Sequence, residues 1–247
     1  MTQVITLPEP VSILMPVRNE ALVIQEVIEE WDKNVLSFLP IGSELILEDG
    51  NSSDGTKEIL QNLEKKYSYL KVFYKNEADG FGAAALRLYR EAKCPWIFFT
   101  DSDGQYVAKD FWVLAKYYQH FDYIRGGKVG RRDPLERRVV SFVFNKLVCL
   151  LFDIYFYDVN CAFHLIKKNL IDDLSQKINC MPTLINTELL IRATYRNYEI
   201  KQVFIHHRER SHGTSRGIPP NKLLFHSFNA FKGLLKIKHD FRVNPEC

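Results

Sequence analysis

The sequence predicts an α/β protein with a mostly parallel central sheet flanked by helices, followed by a C-terminal amphipathic helix. Its 247 residues are enough for one large domain with a sizeable core. Strand and helix patterns alternate through the first half of the chain, and this rhythm is typical of a doubly wound parallel sheet. We therefore expect residues 1–220 to form one domain, and residues 221–247 to form the amphipathic helix and a tail packed on or beside it.

The first half of the chain supplies four strand patterns and three helix patterns. Short apolar runs bounded by polar or turn residues mark the strands, and apolar residues at helical spacing, such as Val23, Val27 and Trp31, mark the helices. In order, the predicted elements are a strand at 11–16, a helix at 20–38, a strand at 44–48, a helix at 56–67, a strand at 70–74, a helix at 82–92 and a strand at 96–100.

The second half is less regular, and two basic segments in it are predicted to be loops. Residues 125–138 and 207–220 combine cations with glycine and proline, which favours flexible surface connections. The elements predicted around them are a helix at 111–120, a strand at 123–124, a helix at 139–152, a strand at 162–166, a helix at 186–196, a strand at 200–206 and a helix at 221–238.

Composition argues against several classes of protein. The net charge of +3 is too small to indicate nucleic-acid binding. The five cysteines form no Cys-x-x-Cys pair, so we expect free thiols and no thiolate zinc site. Residues 1–10 lack the basic start and apolar core of a signal peptide, and no apolar run is long enough to span a membrane. We expect a cytoplasmic protein that is soluble or at most peripheral on the inner face of the membrane.

The most informative motif is Asp101-Ser102-Asp103-Gly104-Gln105, which directly follows the predicted strand at 96–100. Two carboxylates two residues apart can reach one point in space if the chain turns there, and Gly104 permits the turn. Carboxylate oxygens suit Mg²⁺ or Mn²⁺, which bind proteins through one or two carboxylates together with substrate phosphates. On spacing alone, an Asp-x-Asp pair before a turn is more often a solvated, capped loop.

Three polar segments follow strands of the predicted parallel sheet. They are residues 18–20, Asp49 and the motif at 101–105. Ligands of doubly wound sheets bind beyond the carboxyl ends of the strands, which is where all three segments are expected to lie. Their convergence favours a functional site at this edge over an isolated capped loop.

Four motifs occur in order along the chain. They are a strand with a Pro-x-x-Asn-Glu loop at 11–20, an Asp-x-x-Ser-x-Asp-Gly-Thr loop at 49–56, the Asp-x-Asp-Gly-Gln motif at 101–105 and an Arg-x-x-Gly-x-Ser motif at 210–215. Together they resemble glycosyltransferase family 2, and within it the polyprenyl-phosphate sugar transferases of the dolichyl-phosphate mannose synthase type. The similarity covers residues 11–216. Two departures bear on the nucleotide, because Gly50 replaces an acidic residue of the family loop and Arg18 replaces a frequent tyrosine.

The resemblance implies a GT-A (Rossmann-like) nucleotide-sugar-binding fold, an inverting sugar transfer from a GDP- or UDP-sugar, and Mg²⁺ or Mn²⁺ as cofactor. It implies a nucleotide-sugar site made of Pro16, Val17, Asn19, Glu20, Asp49, Asp101, Ser102 and Asp103. It implies a metal held by Asp101, Asp103 and Gln105. It implies contacts to the phosphate of a polyprenyl acceptor from Lys128, Arg137, Ser141 and Arg210. The catalytic candidates are Asp103, Arg137, Arg210 and Glu188.

The chemistry of the acceptor is left open. A polyprenyl phosphate is already an anion and needs cations to position it, which Arg137 and Arg210 would supply. A hydroxyl acceptor on a glycan or glycolipid would need a general base, and related transferases place a carboxylate near Glu188. Glu188 could equally interact with the dipole of the predicted helix that it begins. A third hypothesis is a non-catalytic sugar-nucleotide-binding subunit, against which the intact Asp101 and Asp103 argue.

Two predicted helices favour contact with a membrane surface. The helix at 139–152 follows the first basic segment, and the helix at 221–238 places Leu224, Phe228, Phe231 and Leu235 on one face beside lysines. Either helix alone could instead pack on the core of the domain. The expected partners are therefore a nucleotide-sugar donor, a polyprenyl phosphate acceptor and a membrane surface, without nucleic acid. The sequence leaves open whether the chain forms a homo-oligomer.

Overall fold

The computed structural model places seven strands in one sheet, in the order β3-β2-β1-β4-β6-β5-β7. It describes residues 7–130, 135–210 and 223–243, and for residues 135–137 and 223–224 it describes the backbone only. The strands are β1 (Val11–Val17), β2 (Glu44–Asp49), β3 (Leu70–Tyr74), β4 (Trp96–Phe99), β5 (Tyr123–Val129), β6 (His164–Lys167) and β7 (Ile200–His206).

Helices cover both faces of the sheet. They are α1 (Ile24–Asn34), α2 (Thr56–Lys66), α3 (Phe81–Glu91), α4 (Phe111–Ala115), α5 (Leu135–Phe152), α6 (Lys168–Leu174), α7 (Ile185–Tyr195) and α8 (Leu223–Val243), with short 3₁₀ helices at Leu36–Phe38 and Ala108–Asp110. β1 pairs in parallel with β2 and β4, β2 with β3, and β5 with β7. Only β6 runs antiparallel to its neighbours β4 and β5 within this sheet. The prediction of a mostly parallel sheet flanked by helices is confirmed.

The central strands are apolar because both of their faces are covered. Every residue of β2 and of β4 is buried, which explains the nearly continuous apolar runs in their sequences. On one face, Phe98 of β4 packs against Trp31 of α1 and against Phe163, with ring centroids 5.2 and 4.7 Å apart. On the other face, Phe99 packs against Tyr89 of α3 at 5.3 Å. This double packing fixes the position of the residues that follow β4.

The prediction of a loop at 125–138 is wrong. β5 continues from Tyr123 to Val129, and α5 begins at Leu135. The glycines that indicated a loop serve the sheet instead, because a Cβ at Gly126 would lie 2.4 Å from the Cδ1 of Ile205 on the neighbouring strand β7. Glycine permits this close approach of side chain to backbone.

Several other boundaries differ from the prediction. The helix expected at 20–38 is α1, which ends at Asn34 and is followed by a separate 3₁₀ helix. The helix expected at 111–120 is shorter and ends at Ala115, whereas α6 was not predicted. The strand expected at 162–166 lies at His164–Lys167. Of the basic segment expected at 207–220, residues 211–220 lie outside the described part of the chain.

α8 carries two apolar stripes rather than one. The predicted face is exposed, with Phe228 at 55% and Leu235 at 46% of their full accessibility, whereas Leu234 and Ile237 are completely buried. Phe231 of that face is 40% exposed, and the side chain of Leu224, its fourth residue, lies outside the described set. The C-terminal half of the helix is fixed by the stacking of Phe241 on Tyr195, with ring centroids 3.7 Å apart.

In the described parts of the chain, none of the helices is both long enough and apolar enough to cross a membrane.

The start of α3 packs directly against the backbone before α7. A Cβ at Gly82 would lie 1.9 Å from the carbonyl oxygen of Pro182, which cannot move without shifting the chain. Alanine is the better helix former by about 1 kcal/mol, so propensity alone favours the substitution.

We predict that Gly82→Ala lowers the free energy of unfolding by about 1–3 kcal/mol, as overpacking in a rigid interior does. Urea denaturation followed by circular dichroism measures the change. Arg90→Ala, at an exposed position of the same helix, is the control and should stay within about 0.5 kcal/mol of the wild type. A Gly82→Ala variant as stable as the control would show that the contact with Pro182 is not tight.

Candidate functional site

The loops after β1 and β2 are bonded to each other at the carboxyl edge of the sheet. The backbone N–H of Asn19 donates to Ser52 Oγ (2.7 Å), and the Asn19 side-chain oxygen accepts from the N–H of Ser53 (2.7 Å). The N–H of Glu20 donates to Thr56 Oγ1 (2.8 Å). Asn19 has a φ of 52°, a left-handed conformation that asparagine tolerates better than most residues. The predicted Asn19-Glu20 and Asp49 segments therefore form one unit.

Asp49 serves the geometry of its own loop. Its carboxylate is buried and accepts hydrogen bonds from the Ser52 hydroxyl and from the Ser52 N–H. Pro16 and Val17 end β1 beside it, and the N–H of Gly50 donates to the Val17 carbonyl (2.9 Å). The contribution of these residues to nucleotide binding stays a prediction.

The Asp101–Gln105 motif is attached to the same unit. Ser102 Oγ donates to the carbonyl oxygen of Pro16 (2.9 Å), which ties the motif to the end of β1. Gly104 has a φ of 74°, so the turn after the two aspartates requires a glycine. Asp103 Oδ1 accepts from the N–H of Gln105 (3.1 Å), which is the capped turn that the spacing alone predicts.

The two carboxylates of the motif influence each other. Removal from water, and then the neighbouring Asp103 carboxylate, raise the pKa of Asp101 to about 7. Lys128 on β5 acts in the opposite direction and lowers the pKa of Asp101. Two partly buried carboxylates this close together favour a ligand that brings positive charge.

Two predicted cations reach this edge from distant parts of the chain. Arg210 forms an ion pair with Glu20, and its Nη1 lies 3.8 Å from Asp103 Oδ2. The Nζ of Lys128 lies 3.5 Å from Asp158 Oδ2. The structure thus brings together Glu20, Asp101, Asp103, Arg210 and Lys128, and Asp158 lies beside Lys128.

The segment before Arg210 is fixed to the domain by Gln105. The N–H of Arg208 donates to the Gln105 carbonyl (2.8 Å), and Gln105 Nε2 donates to the Arg208 carbonyl (3.2 Å). The Arg208 guanidinium also forms a two-pronged ion pair with Glu30 of α1 at 2.9 and 3.0 Å. Sequence reasoning missed Glu30 and Arg208, which belong to none of the four motifs. The assignment of Gln105 as a metal ligand stays a prediction.

A cavity opens beside this segment. It has a volume of about 420 Å³ and is lined by Val129, Gly130, His206, His207, Arg208 and Glu209. It adjoins the end of β5 just beyond Lys128. The cavity therefore lies next to the chain segments that carry Lys128 and Arg210, two of the residues predicted to contact the acceptor.

Ser141 lies on the face of α5 that meets the loop carrying Asp158. Asn145, one turn later on the same face, donates to the Phe156 carbonyl (2.8 Å) and accepts from the N–H of Val159 (2.8 Å). Arg137 belongs to α5, but its side chain lies outside the described set, as do residues 211–215 of the late motif. The predicted contacts of Ser141 and Arg137 with a phosphate stay predictions.

Glu188 is held inside the domain by hydrogen bonds and an ion pair. It is fully buried and accepts hydrogen bonds from the N–H groups of residues 179, 180 and 181. It also pairs with Arg192 of the same helix at 2.9 Å, and Arg192 in turn pairs with Asp240 of α8 at 3.2 Å. These contacts connect α7 to α8. The assignment of Glu188 as a catalytic base stays a prediction.

The oxygen ligands fit a divalent cation that is shared with a substrate. Among the residues that the structure describes, no three His, Cys, Asp or Glu side chains are grouped so that they could hold a metal ion by themselves. The Asp101–Asp103 pair supplies two carboxylates, and Mg²⁺ or Mn²⁺ characteristically combines such a pair with phosphate oxygens. The donor set therefore suits a cation that binds together with a diphosphate.

Comparisons of sequence identify the family. Residues 12–143 match the sequence model of glycosyl transferase family 2. Among curated proteins, the chain is similar to glycosyltransferase AglD of Haloferax volcanii, with 24% identity over 203 residues that cover 78% of this chain and 32% of AglD. It is also similar to undecaprenyl-phosphate 4-deoxy-4-formamido-L-arabinose transferase of Salmonella choleraesuis, with 23% identity over 210 residues that cover 83% of this chain and 62% of that enzyme. The chain thus spans less than two thirds of the length of either relative.

Comparisons of structure identify the fold. Glucosyl-3-phosphoglycerate synthase of Mycobacterium tuberculosis, solved with Mn²⁺, UDP and phosphoglyceric acid, aligns with a TM-score of 0.70 at 19% identity, covering 93% of this chain and 78% of that one. The mannosyltransferase PcManGT of Pyrobaculum calidifontis, solved with GDP-Man and Mn²⁺, aligns with a TM-score of 0.64 at 17% identity, covering 97% and 71%. The predicted GT-A fold is confirmed.

We predict that Glu188→Gln lowers the free energy of unfolding by about 3–5 kcal/mol, because it removes one of the two carboxylates that pair with the buried Arg192. Chemical denaturation measures the change. The control is Glu58→Gln, since Glu58 also lies in the first turn of a helix but is exposed. A Glu188→Gln variant that unfolds like the control would contradict the structural role.

Proposed function

This chain belongs to glycosyl transferase family 2, and from that premise we propose that it is an inverting glycosyltransferase that moves a sugar from a GDP- or UDP-sugar to a polyprenyl phosphate. The observation that carries the proposal is the arrangement at one sheet edge of the Asp101–Asp103 pair with Arg210 and Lys128. The carboxylates suit the leaving diphosphate and its cation, and the basic side chains suit an anionic acceptor.

The donor half of the reaction follows from the carboxylate pair. When the bond between the anomeric carbon and the donor phosphate breaks, negative charge grows on the departing nucleoside diphosphate. Mg²⁺ or Mn²⁺ held by Asp101 and Asp103 would supply a Lewis acid for that charge. Ser102 holds the motif against Pro16, so the two carboxylates are positioned before the substrate arrives. The Mn²⁺ complexes of the two structural relatives support this proposal.

The acceptor half of the reaction follows from the two basic side chains at the site. An oxygen of a phosphate monoester is an anion at neutral pH, so it can attack the anomeric carbon without giving up a proton. Such an acceptor needs cations that hold it in line with the breaking bond. Arg210 and Lys128 are bound to Glu20 and Asp158 in this structure, and a phosphate would compete with those carboxylates for them. The relative that acts on undecaprenyl phosphate supports this choice.

A hydroxyl acceptor is the second candidate. It is favoured by the structural relative named for glucosyl-3-phosphoglycerate synthesis. This chemistry would need a base, for which Glu188 was the candidate. Its burial and its contacts with Arg192 and three N–H groups leave its carboxylate inaccessible to a substrate. We therefore place the phosphate acceptor first, and we place a non-catalytic sugar-nucleotide-binding subunit last because the carboxylate pair is intact.

Contact with a membrane is part of the proposal. Apolar side chains are exposed on the N-terminal halves of two helices, at Val139, Phe142 and Val143 of α5 and at Phe225, Phe228 and Phe231 of α8. The chain just before each helix is rich in basic residues. An exposed apolar stripe flanked by cations suits the interface of an anionic bilayer. We propose that the protein lies peripherally on the cytoplasmic face of the membrane that holds its acceptor.

We predict that the wild type sediments with vesicles that contain anionic phospholipid. The Phe228→Ser, Phe231→Ser double variant should bind at least about tenfold more weakly, because it loses two aromatic side chains from the apolar stripe. Its control is the Phe38→Ser, Ile41→Ser double variant, which removes two exposed apolar side chains elsewhere and should bind like the wild type. Equal losses in both variants, or no binding by the wild type, would contradict the membrane proposal.

We predict that Asp103→Asn lowers the transfer of radiolabelled sugar to polyprenyl phosphate about 100-fold or more, because several kcal/mol of charge stabilisation are lost. Lipid extraction followed by scintillation counting measures transfer, with GDP- and UDP-sugars tested in Mn²⁺. The control is Asp153→Asn, since Asp153 is an exposed turn residue with a φ of 53° that asparagine tolerates.

Two outcomes of that assay would count against the proposal. Transfer that survives in Asp103→Asn, or in the presence of EDTA, would exclude the metal-assisted mechanism. Label that enters only water-soluble glycans would replace the polyprenyl phosphate by a hydroxyl acceptor.

A further inference from the structure

Arg125 is a buried cation that has no hydrogen-bond acceptor among the described residues. It lies on β5, its exposure is 0%, and none of its Nε, Nη1 and Nη2 atoms has a hydrogen-bond partner in the described structure. A guanidinium carries five N–H donors and cannot lose its charge in a protein. Since a buried charge is very unfavourable unless it is paired and hydrogen-bonded, a group with this setting requires an acceptor.

Aromatic side chains lie beside Arg125. Strand register places Arg125 opposite His164 of β6, and His164 opposite Phe99 of β4, so that all three lie on one face of the sheet. The Cζ of Arg125 lies 5.6 Å from the ring centroid of Tyr123, whose buried hydroxyl also has no hydrogen-bond partner in the described part of the chain. The ring contact offers the cation a partial partner but satisfies none of its N–H groups.

The neighbouring histidine does not balance the charge. His164 Nε2 lies 2.8 Å from the hydroxyl of Tyr89 on α3. Burial, and then the positive charge of Arg125, lower the pKa of His164 to about 3, so the imidazole is neutral at physiological pH. The site therefore combines one fixed positive charge with unused donors on Arg125 and Tyr123.

We propose that Arg125 and the Tyr123 hydroxyl bind a small inorganic anion of halide size in the interior of the domain. Water could accept the hydrogen bonds, but it brings no charge, whereas an anion brings both an acceptor and the missing negative charge. The proposed anion is small because the side chains of Arg125, Tyr123 and His164 are each fully buried, so none of them is exposed to the phosphate of a lipid or a nucleotide. This site is independent of the transfer reaction proposed above.

The first test is thermal unfolding of the full chain in sodium chloride and in sodium gluconate at equal ionic strength. An ion that binds only the folded state stabilises it by mass action, whereas gluconate is too large to enter. We expect the midpoint temperature of unfolding of the wild type to rise with chloride concentration until the site is saturated. At saturation it should be about 5 °C higher in chloride than in gluconate. Equal midpoints of the wild type in the two salts would overturn the proposal.

The variant Arg125→Met tests the assignment of the residue. It should lose the difference between chloride and gluconate, and in gluconate it should be at least as stable as the wild type because the unpaired charge is gone. Arg90→Met removes an exposed arginine of α3 and should keep the chloride effect. A chloride effect that persists in Arg125→Met would overturn the proposal.

A second measurement does not depend on the variant folding. Crystals of the wild type soaked in sodium bromide should show an anomalous scattering peak within hydrogen-bonding distance of the Arg125 guanidinium. Ordered water without an anomalous peak at that position would overturn the proposal and identify the acceptor as solvent.

Discussion

The rest of the structure depends on concentrated negative charge at the end of β4. Asp101 and Asp103 lie within one turn of each other, and Glu20 adds a third carboxylate that raises the pKa of Asp101 further. Cations from other elements stabilise such an arrangement. Arg210 lies beyond β7 and Lys128 lies on β5, so the second half of the chain brings cations to carboxylates that the first half supplies.

Hydrogen bonds between loops hold these groups in place without any substrate. The β1 loop is bonded to the β2 loop through Ser52 and Thr56, and the β4 motif is bonded to β1 through Ser102. Gln105 then binds the backbone of Arg208, two residues before Arg210. A site whose supporting residues are themselves fixed loses little conformational freedom when it binds a ligand.

The sequence was sufficient for β1 to β4, because each of these elements is specified by its own local pattern. It was misleading for β5, because Gly126 there is required by the close approach of Ile205, which lies on a strand far along the chain. No local sequence pattern reveals that contact. It was incomplete for α8, because a helix with two apolar stripes shows the same periodicity whichever stripe faces the core. The Asp101, Asp103 and Arg210 cluster was foreseeable from motifs, whereas the pair of Arg208 with Glu30 joins residues 178 positions apart and belongs to no motif.

The central claim is that the Asp101–Asp103 pair and a nucleoside diphosphate share one divalent cation. Titration of the wild type with Mn²⁺, followed by electron paramagnetic resonance of the free ion, tests it most directly when done with and without GDP or UDP. Because the carboxylate pair is an incomplete site, the account predicts weak Mn²⁺ binding alone and binding at least about tenfold tighter with the preferred nucleotide, a coupling that must be reciprocal. Mn²⁺ affinity that does not change with either nucleotide would contradict the account.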